Sequence, residues 1–160
     1  MRTGVLFVCL GNICRSPLAR VIFAAHAHRR GVLELLDIDS CGTGHWHVGE
    51  GADRRSVEIA QRRGLTLPHC ARQLDPRVDF SRFHWLIAMD RENRANVIAA
   101  GAPRERVHLI RSFDPAMQGA PEHELDVPDP YYGQGDGFAR VYDMLAASSD
   151  GLLEAVLASR

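Results

Sequence analysis

At 160 residues, 46% of them hydrophobic and 24% charged, the chain has the usage of an ordinary globular domain and not of a disordered or fibrous one. A chain near this length buries roughly 68–70% of its unfolded surface, enough for a core of its own. Its 19 basic residues, all arginine, nearly balance 20 acidic ones for a formal net charge of −1, without the basic surplus of a general nucleic-acid binder.

Four cysteines, none in a Cys-x-x-Cys pair, make neither a disulfide framework nor a structural zinc site. The apolar run Val5–Leu10 is too short for a membrane span of about 20 residues. It is also short for the roughly 7–15-residue core of a signal peptide. The expectation is one domain over residues 1–160, cytoplasmic with reduced thiols, with no membrane or nucleic-acid partner and no cofactor. Secretion into a host without a signal peptide stays open.

Gly4–Val8, ending at Cys9, is a continuous apolar run, as in a strand buried on both faces. Ser16-Pro17 then opens a helix, with Ser16 expected as N-cap and Pro17 at the first helical position. Leu18, Val21, Ile22 and Ala25 give that helix its apolar spacing. Leu36–Ser40 reads as a second strand, followed by a helix from about Asp53 to Arg63 that Gly64 stops. Trp85–Met89 is a third strand, and Asp90 caps a helix holding Val97 and Ile98. Val107–Ile110 is a fourth strand, and the last helix runs from about Gly135 to Ala158. Between those two lies a long Pro- and Asp-rich loop, Arg111–Gly133, of the kind that often carries function. This β–α alternation predicts an α/β domain on a parallel sheet.

The informative stretch is Val8-Cys9-Leu10-Gly11-Asn12-Ile13-Cys14-Arg15-Ser16-Pro17. A loop between a strand's carboxyl end and a helix N-terminus can aim successive N–H groups at an anion. Arg15 adds a planar fork for two phosphate oxygens, and the positive potential favours the nucleophilic thiolate of Cys9 at the base. Gly11 and Asn12 tolerate the left-handed angles a tight loop needs. There is no Gly-Lys-Ser/Thr, so this is not an ATP-binding P-loop. The bland alternative makes Cys9 a small buried hydrophobe; the strand, the Gly-Asn and the Ser-Pro around it argue against that.

These residues resemble the low-molecular-weight protein tyrosine phosphatases. Further stretches match the family in order: Gly42-Thr43-Gly44 with Trp46-His47-Val48-Gly49, His69 to Leu74, Ala88 to Asn93, Arg111 to Pro115, and Val127-Pro128-Asp129-Pro130-Tyr131-Tyr132-Gly133. The resemblance implies a three-layer sandwich around a four-stranded parallel sheet of order 2-1-3-4, with the phosphate loop after the first strand. It implies a metal-independent hydrolase of protein phosphotyrosine and small aryl phosphates that works through a phosphocysteine. Cys9 would be nucleophile, Arg15 the phosphate-binding residue and Asp129 the general acid and base. Leu10, Gly11, Asn12, Ile13, Cys14 and Ser16 would line the phosphate.

The leaving oxygen needs a proton, a task typically worth 10²–10⁴-fold. Asp129 lies between Pro128 and Pro130, which restrict its backbone; taken alone, it reads as a turn-forming Asp, and Asp126 is its neighbouring competitor. Ser16 has two readings, helix N-cap or donor to Cys9. By the resemblance, Asn12, Ser40 and His69 fix the phosphate loop, and Asp90 supports the site or merely caps a helix.

Trp46, Tyr131 and Tyr132 are candidates for an aromatic slot around a phenyl ring. Ile13 stands where phosphoarginine-directed relatives carry Thr, which favours phosphotyrosine. A tyrosine-phosphorylated protein is the implied partner, for instance a bacterial tyrosine kinase or a host protein. His45-x-His47 and His26-x-His28 have the look of metal pairs, but no third ligand accompanies them. Cys14 shares the loop with Cys9, so an oxidised Cys9 has a thiol nearby to form a regulatory disulfide.

Three departures stand out: Arg20 where the family usually has an acidic residue, expected to alter only the helix surface; Cys41 for Ala; and Gln134-Gly135 after the tyrosines. Two rivals remain. An arsenate reductase shares the loop but needs resolving cysteines in a mobile segment, and none follows Cys70. A non-catalytic phosphoprotein-binding module would be expected to have lost Cys9, Arg15 or Asp129.

Overall fold

The computed structural model describes residues 1–160. Four parallel strands form one sheet: β1 (Thr3–Cys9), β2 (Leu36–Gly42), β3 (Trp85–Ala88) and β4 (Val107–Leu109), in the order β2-β1-β3-β4. Five α-helices accompany it: α1 (Arg15–Arg29), α2 (Arg54–Arg62), α3 (Pro76–Arg82), α4 (Arg91–Ala99) and α5 (Gly137–Ala158).

The unbroken apolar run of β1 follows from burial on both sides. Val5, Phe7 and Cys9 join the core of Leu18, Ile22, Phe23, Leu145 and Leu152, beneath α1 and α5. Leu6 and Val8 face the other way, into the core of Leu86, Ala88, Val97 and Phe83 under α4. The expected three-layer α/β sandwich and its 2-1-3-4 sheet are therefore present. Since the chain leaves β1 toward β2 on one side and β3 pairs on the other, the carboxyl end of β1 is a switch point, where open α/β sheets leave a crevice.

Several expected boundaries move for identifiable reasons. α1 starts at Arg15, with Cys14 flanking it and no side chain capping its first amides, so Ser16 is not its N-cap. A tertiary partner, the Cys9 sulfur, takes the Ser16 hydroxyl instead. Val21 and Ala25 are only half-buried, whereas Ala19, Phe23 and Ala27 are buried, because α1 is wedged between the sheet and α5 and its apolar stripe widens. β2 runs two residues past Ser40, pairing Cys41 and Gly42 with Val8 and Cys9. α5 begins at Gly137, after Gly135 at φ 73°.

Helix α3 is absent from the sequence reading although Asp75-Pro76 is its start signal; Asp75 accepts from Arg77 N–H. A helix of 7 residues is too short to display a period. The Arg111–Gly133 segment begins inside one short 3₁₀ turn, Ile110–Phe113, and contains two more, Pro115–Met117 and Glu122–Glu124. No helix is long and apolar enough to cross a membrane.

Candidate active site

The loop from Cys9 to Arg15 is organised by Asn12, the one non-glycine residue of the chain at positive φ (56°). Its N–H points at Cys9 Sγ at 3.3 Å. Its side-chain amide donates to Ser16 Oγ at 2.9 Å and Ser40 Oγ at 3.0 Å, and its Oδ1 accepts from Arg72 N–H at 3.0 Å. Because Ser16 Oγ already accepts from Asn12, its own proton is free for the Cys9 sulfur at 3.0 Å, a closer partner than the Cys41 carbonyl at 3.4 Å. Every polar atom of the Asn12 side chain is thus paired in a buried setting, which fixes one loop geometry.

Gly11, expected to share the left-handed conformation, does not adopt it. Its constraint is space, since a Cβ there would lie 3.0 Å from His47 Cδ2. Gly42 is tighter: its Cβ would sit 2.7 Å from Leu10 O and 3.1 Å from Asn12 N, so the loop rests directly on β2.

His69 Nε2 lies 2.6 Å from Asn12 O, and its Nδ1 lies 3.4 Å from an Arg20 guanidinium nitrogen. A guanidinium only donates, so Nδ1 accepts and the proton sits on Nε2, aimed at Asn12. Burial, together with the Arg20 charge, pushes the His69 pKa below its usual value and keeps the ring neutral. Arg20 also donates to Pro68 O at 2.6 Å. The expectation that Arg20 affects only the helix surface is therefore corrected: it reaches the phosphate-loop brace.

Arg15, 2% exposed, is held by Asp90 Oδ2 at 2.6 Å and Val127 O at 2.9 Å through one guanidinium nitrogen. Burial opposes its charge, but Cys9 and Asp90 outweigh burial and raise its pKa. The other terminal nitrogen faces Asp129 Oδ2 at 3.7 Å. Asp90 does two jobs, since its Oδ1 also caps α4 by accepting from Asn93 N–H at 2.7 Å.

Asp129 and its competitor Asp126 have different partners. Asp129 Oδ1 accepts the Tyr131 N–H at 3.0 Å, which leaves Oδ2 toward Arg15 and the pocket. Asp126 is consumed by Arg91, from its N–H at 2.9 Å and from its guanidinium at 2.9 Å. Burial works against the Asp126 charge, but Arg91 prevails and holds its carboxyl below the usual range.

Cys9, Arg15 and Asp129 line one cavity of about 370 Å³ together with Leu10, Gly11, Ile13, Cys14, Trp46, Tyr131 and Tyr132; Trp46 and Tyr132 are exposed. Tyr131 and Tyr132 meet edge to face at 4.8 Å. His47, which the sequence offers as half of a metal pair and as part of a family motif but not as a site residue, is a wall of this cavity. Its Nδ1 is bonded to Glu50 at 2.7 Å and its ring faces Tyr131, while His45 stacks on Trp46. Its place inside the Trp46-His47-Val48-Gly49 motif was the available signal. No three His, Cys, Asp or Glu side chains are grouped as a metal site. Burial, then the charges of Asp53 and Cys9, raise the Cys14 thiol well above its usual pKa, so it remains a thiol.

The uncapped amides of α1, the anchored guanidinium and an acceptor-ready sulfur in one cavity suit a tetrahedral oxyanion over Cys9. A family model described as low molecular weight phosphotyrosine protein phosphatase matches residues 4–160. A low molecular weight protein-tyrosine-phosphatase of Streptomyces coelicolor is 46% identical, covering 98% of this chain and 94% of its own. The crystal structure of a protein tyrosine phosphatase from Entamoeba histolytica superposes with a TM-score of 0.89 at 31% identity, over 98% of each chain. That of a Drosophila arginine phosphatase gives 0.84 at 28% identity, over 97% of each. With a match across nearly its whole length, the chain belongs to the low molecular weight phosphotyrosine protein phosphatase family.

Proposed function

We propose that the protein hydrolyses phosphotyrosine in proteins in two displacements at Cys9. In the first, a Cys9 Sγ–phosphorus bond forms as the phosphorus–tyrosyl oxygen bond breaks, and Asp129 gives its proton to the leaving oxygen. In the second, Asp129 takes a proton from water, the water oxygen bonds phosphorus, and the sulfur leaves as thiolate. Arg15 and the loop amides hold the equatorial oxygens throughout. The observation that carries this reading is the convergence of the Arg15 fork and the Asp129 carboxylate on the cavity that contains Cys9.

Ile13 and the paired tyrosines give the cavity an apolar, aromatic lining that suits an aryl phosphate better than a charged phosphoguanidinium, which favours phosphotyrosine over the phosphoarginine suggested by two structural neighbours named arginine phosphatases. Four free cysteines fit a reducing compartment, so we assign the protein to the cytoplasm and its partner to a tyrosine-phosphorylated protein such as a bacterial kinase or a host protein. Release of p-nitrophenol from p-nitrophenyl phosphate with EDTA present is the test. Wild type is expected to turn over and be inhibited by vanadate, with Cys9→Ser folded but inactive. Equal turnover by Cys9→Ser would overturn the assignment.

A further inference from the structure

The acid loop and the phosphate loop are joined through the start of α2, which neither loop's sequence announces. Asp53 N–H donates to Ile13 O at 2.8 Å, and Ser56 Oγ donates to Cys14 O at 3.2 Å, tying α2 to the phosphate loop. Asp53 grips Arg55 by two guanidinium bonds of 3.0 Å. Arg55 Nη2 then donates to Tyr131 O at 3.1 Å, two residues beyond Asp129. The guanidinium also stacks 4.5 Å over the Phe138 ring, in the first turn of α5, and 5.7 Å over Tyr131.

From this geometry we propose that Arg55 is a positioning residue for the general acid: it registers the Asp129 segment against the phosphate loop, with Asp53 aiming its guanidinium. The inference rests on the phosphatase reading above and deepens it. Arg55 does not line the cavity that holds Cys9 and Asp129, so it acts through the backbone at Tyr131. The Asp129 side chain itself is 38% exposed and bonds to the loop only through Tyr131 N–H and its approach to Arg15. The Arg55 link to Tyr131 O lies on the same residue as that N–H, so releasing it removes the tie from α2 at the residue that positions the Asp129 carboxylate. Displacements of about 1 Å in such a group can cost roughly 10²-fold in rate.

The measurement is kcat/KM of the full-length protein for an alkyl phosphate and for p-nitrophenyl phosphate, whose leaving group barely needs a proton. Arg55→Ala is expected to lose about tenfold or more on the alkyl substrate and distinctly less on the aryl one. Arg55→Lys, which retains a donor and the charge, recovers part of the loss. Asp53→Asn keeps a helix cap but loosens the grip on Arg55, and is expected to shift the ratio in the same direction by less. Equal losses on both substrates, or an unchanged ratio in all three variants, would overturn the proposal. Wild type failing on both substrates would instead sink the phosphatase reading itself.

Discussion

Between Cys9 and Ser16 the side chains are mostly buried and Asn12 alone ties the loop to Ser16, Ser40 and Arg72. Between Tyr132 and Asp136 every residue is exposed, and Asp129 is reached from outside its own turn only by Arg15. In the proposed mechanism the phosphate loop holds the phosphoryl oxygens while Asp129 exchanges a proton with the leaving oxygen, so one reaction is served with opposite degrees of constraint. Charge stabilisation works when donors are fixed before the reaction, because nothing then reorganises as charge develops. Proton delivery to a protein substrate needs a group that admits the tyrosine and then meets its oxygen, and exposed loops can supply such motion. The fixed half is built on the strand end; the adjustable half is hung from it.

Substitutions in the two halves should therefore fail differently. Asp129→Asn removes the proton donor from the adjustable half. The expected loss is 10²–10⁴-fold in kcat/KM for alkyl phosphates, much less for p-nitrophenyl phosphate, with thermal stability unchanged. Gly42→Ala strikes the fixed half, since its Cβ would press on Leu10 O and Asn12 N. Steady-state rates on both substrates should fall together, by about 10²-fold, because displaced amides serve every leaving group. A leaving-group-dependent loss in Gly42→Ala would erase the distinction.

Arg20→Glu is the smallest perturbation, aimed at the brace behind the fixed half. His69 has a folded pKa below its unfolded value of about 6.5, from burial and then from Arg20 opposing the partial support of its bond to Asn12. The unfolded chain therefore binds the proton more readily, so this stability is fully present above pH 6.5 and is lost as pH falls through the lower folded pKa. Replacing Arg20 by Glu raises the folded pKa, and the acid-side loss of thermal stability should shrink. His108 is lowered as well, by burial and then by His84, and contributes with the same sign in both proteins. NMR titration of the His69 ring separates the two; an unmoved His69 pKa in Arg20→Glu would break the link from α1 to the loop.

What the sequence made legible is what lies close together along it. The run of β1 is apolar without alternation because both faces are covered, and Cys9 through Pro17 concentrates nucleophile, fork and helix start in one stretch. The Asp90 cap was legible for the same reason, though its grip on Arg15 crosses 75 positions. Local rules failed where a distant partner outbid them. Ser16 has the chemistry of an N-cap, yet Cys9 and Asn12 take its hydroxyl. Arg20 looked like helix surface because His69 is 49 residues away, and Arg55 meets Tyr131 across 76. Periodicity carries no record of such pairings.

The central claim, that Cys9 receives the phosphoryl group, is tested most directly by trapping it. Asp129→Ala should still form the intermediate from p-nitrophenyl phosphate, whose departure barely needs an acid, but lacks the base that helps water remove it. Acid-quenched protein, digested and weighed by mass spectrometry, is predicted to carry one phosphoryl group on the Cys9 peptide. A phosphoryl group on another residue, or an unmodified Cys9 in protein that continues to turn over, would contradict the account.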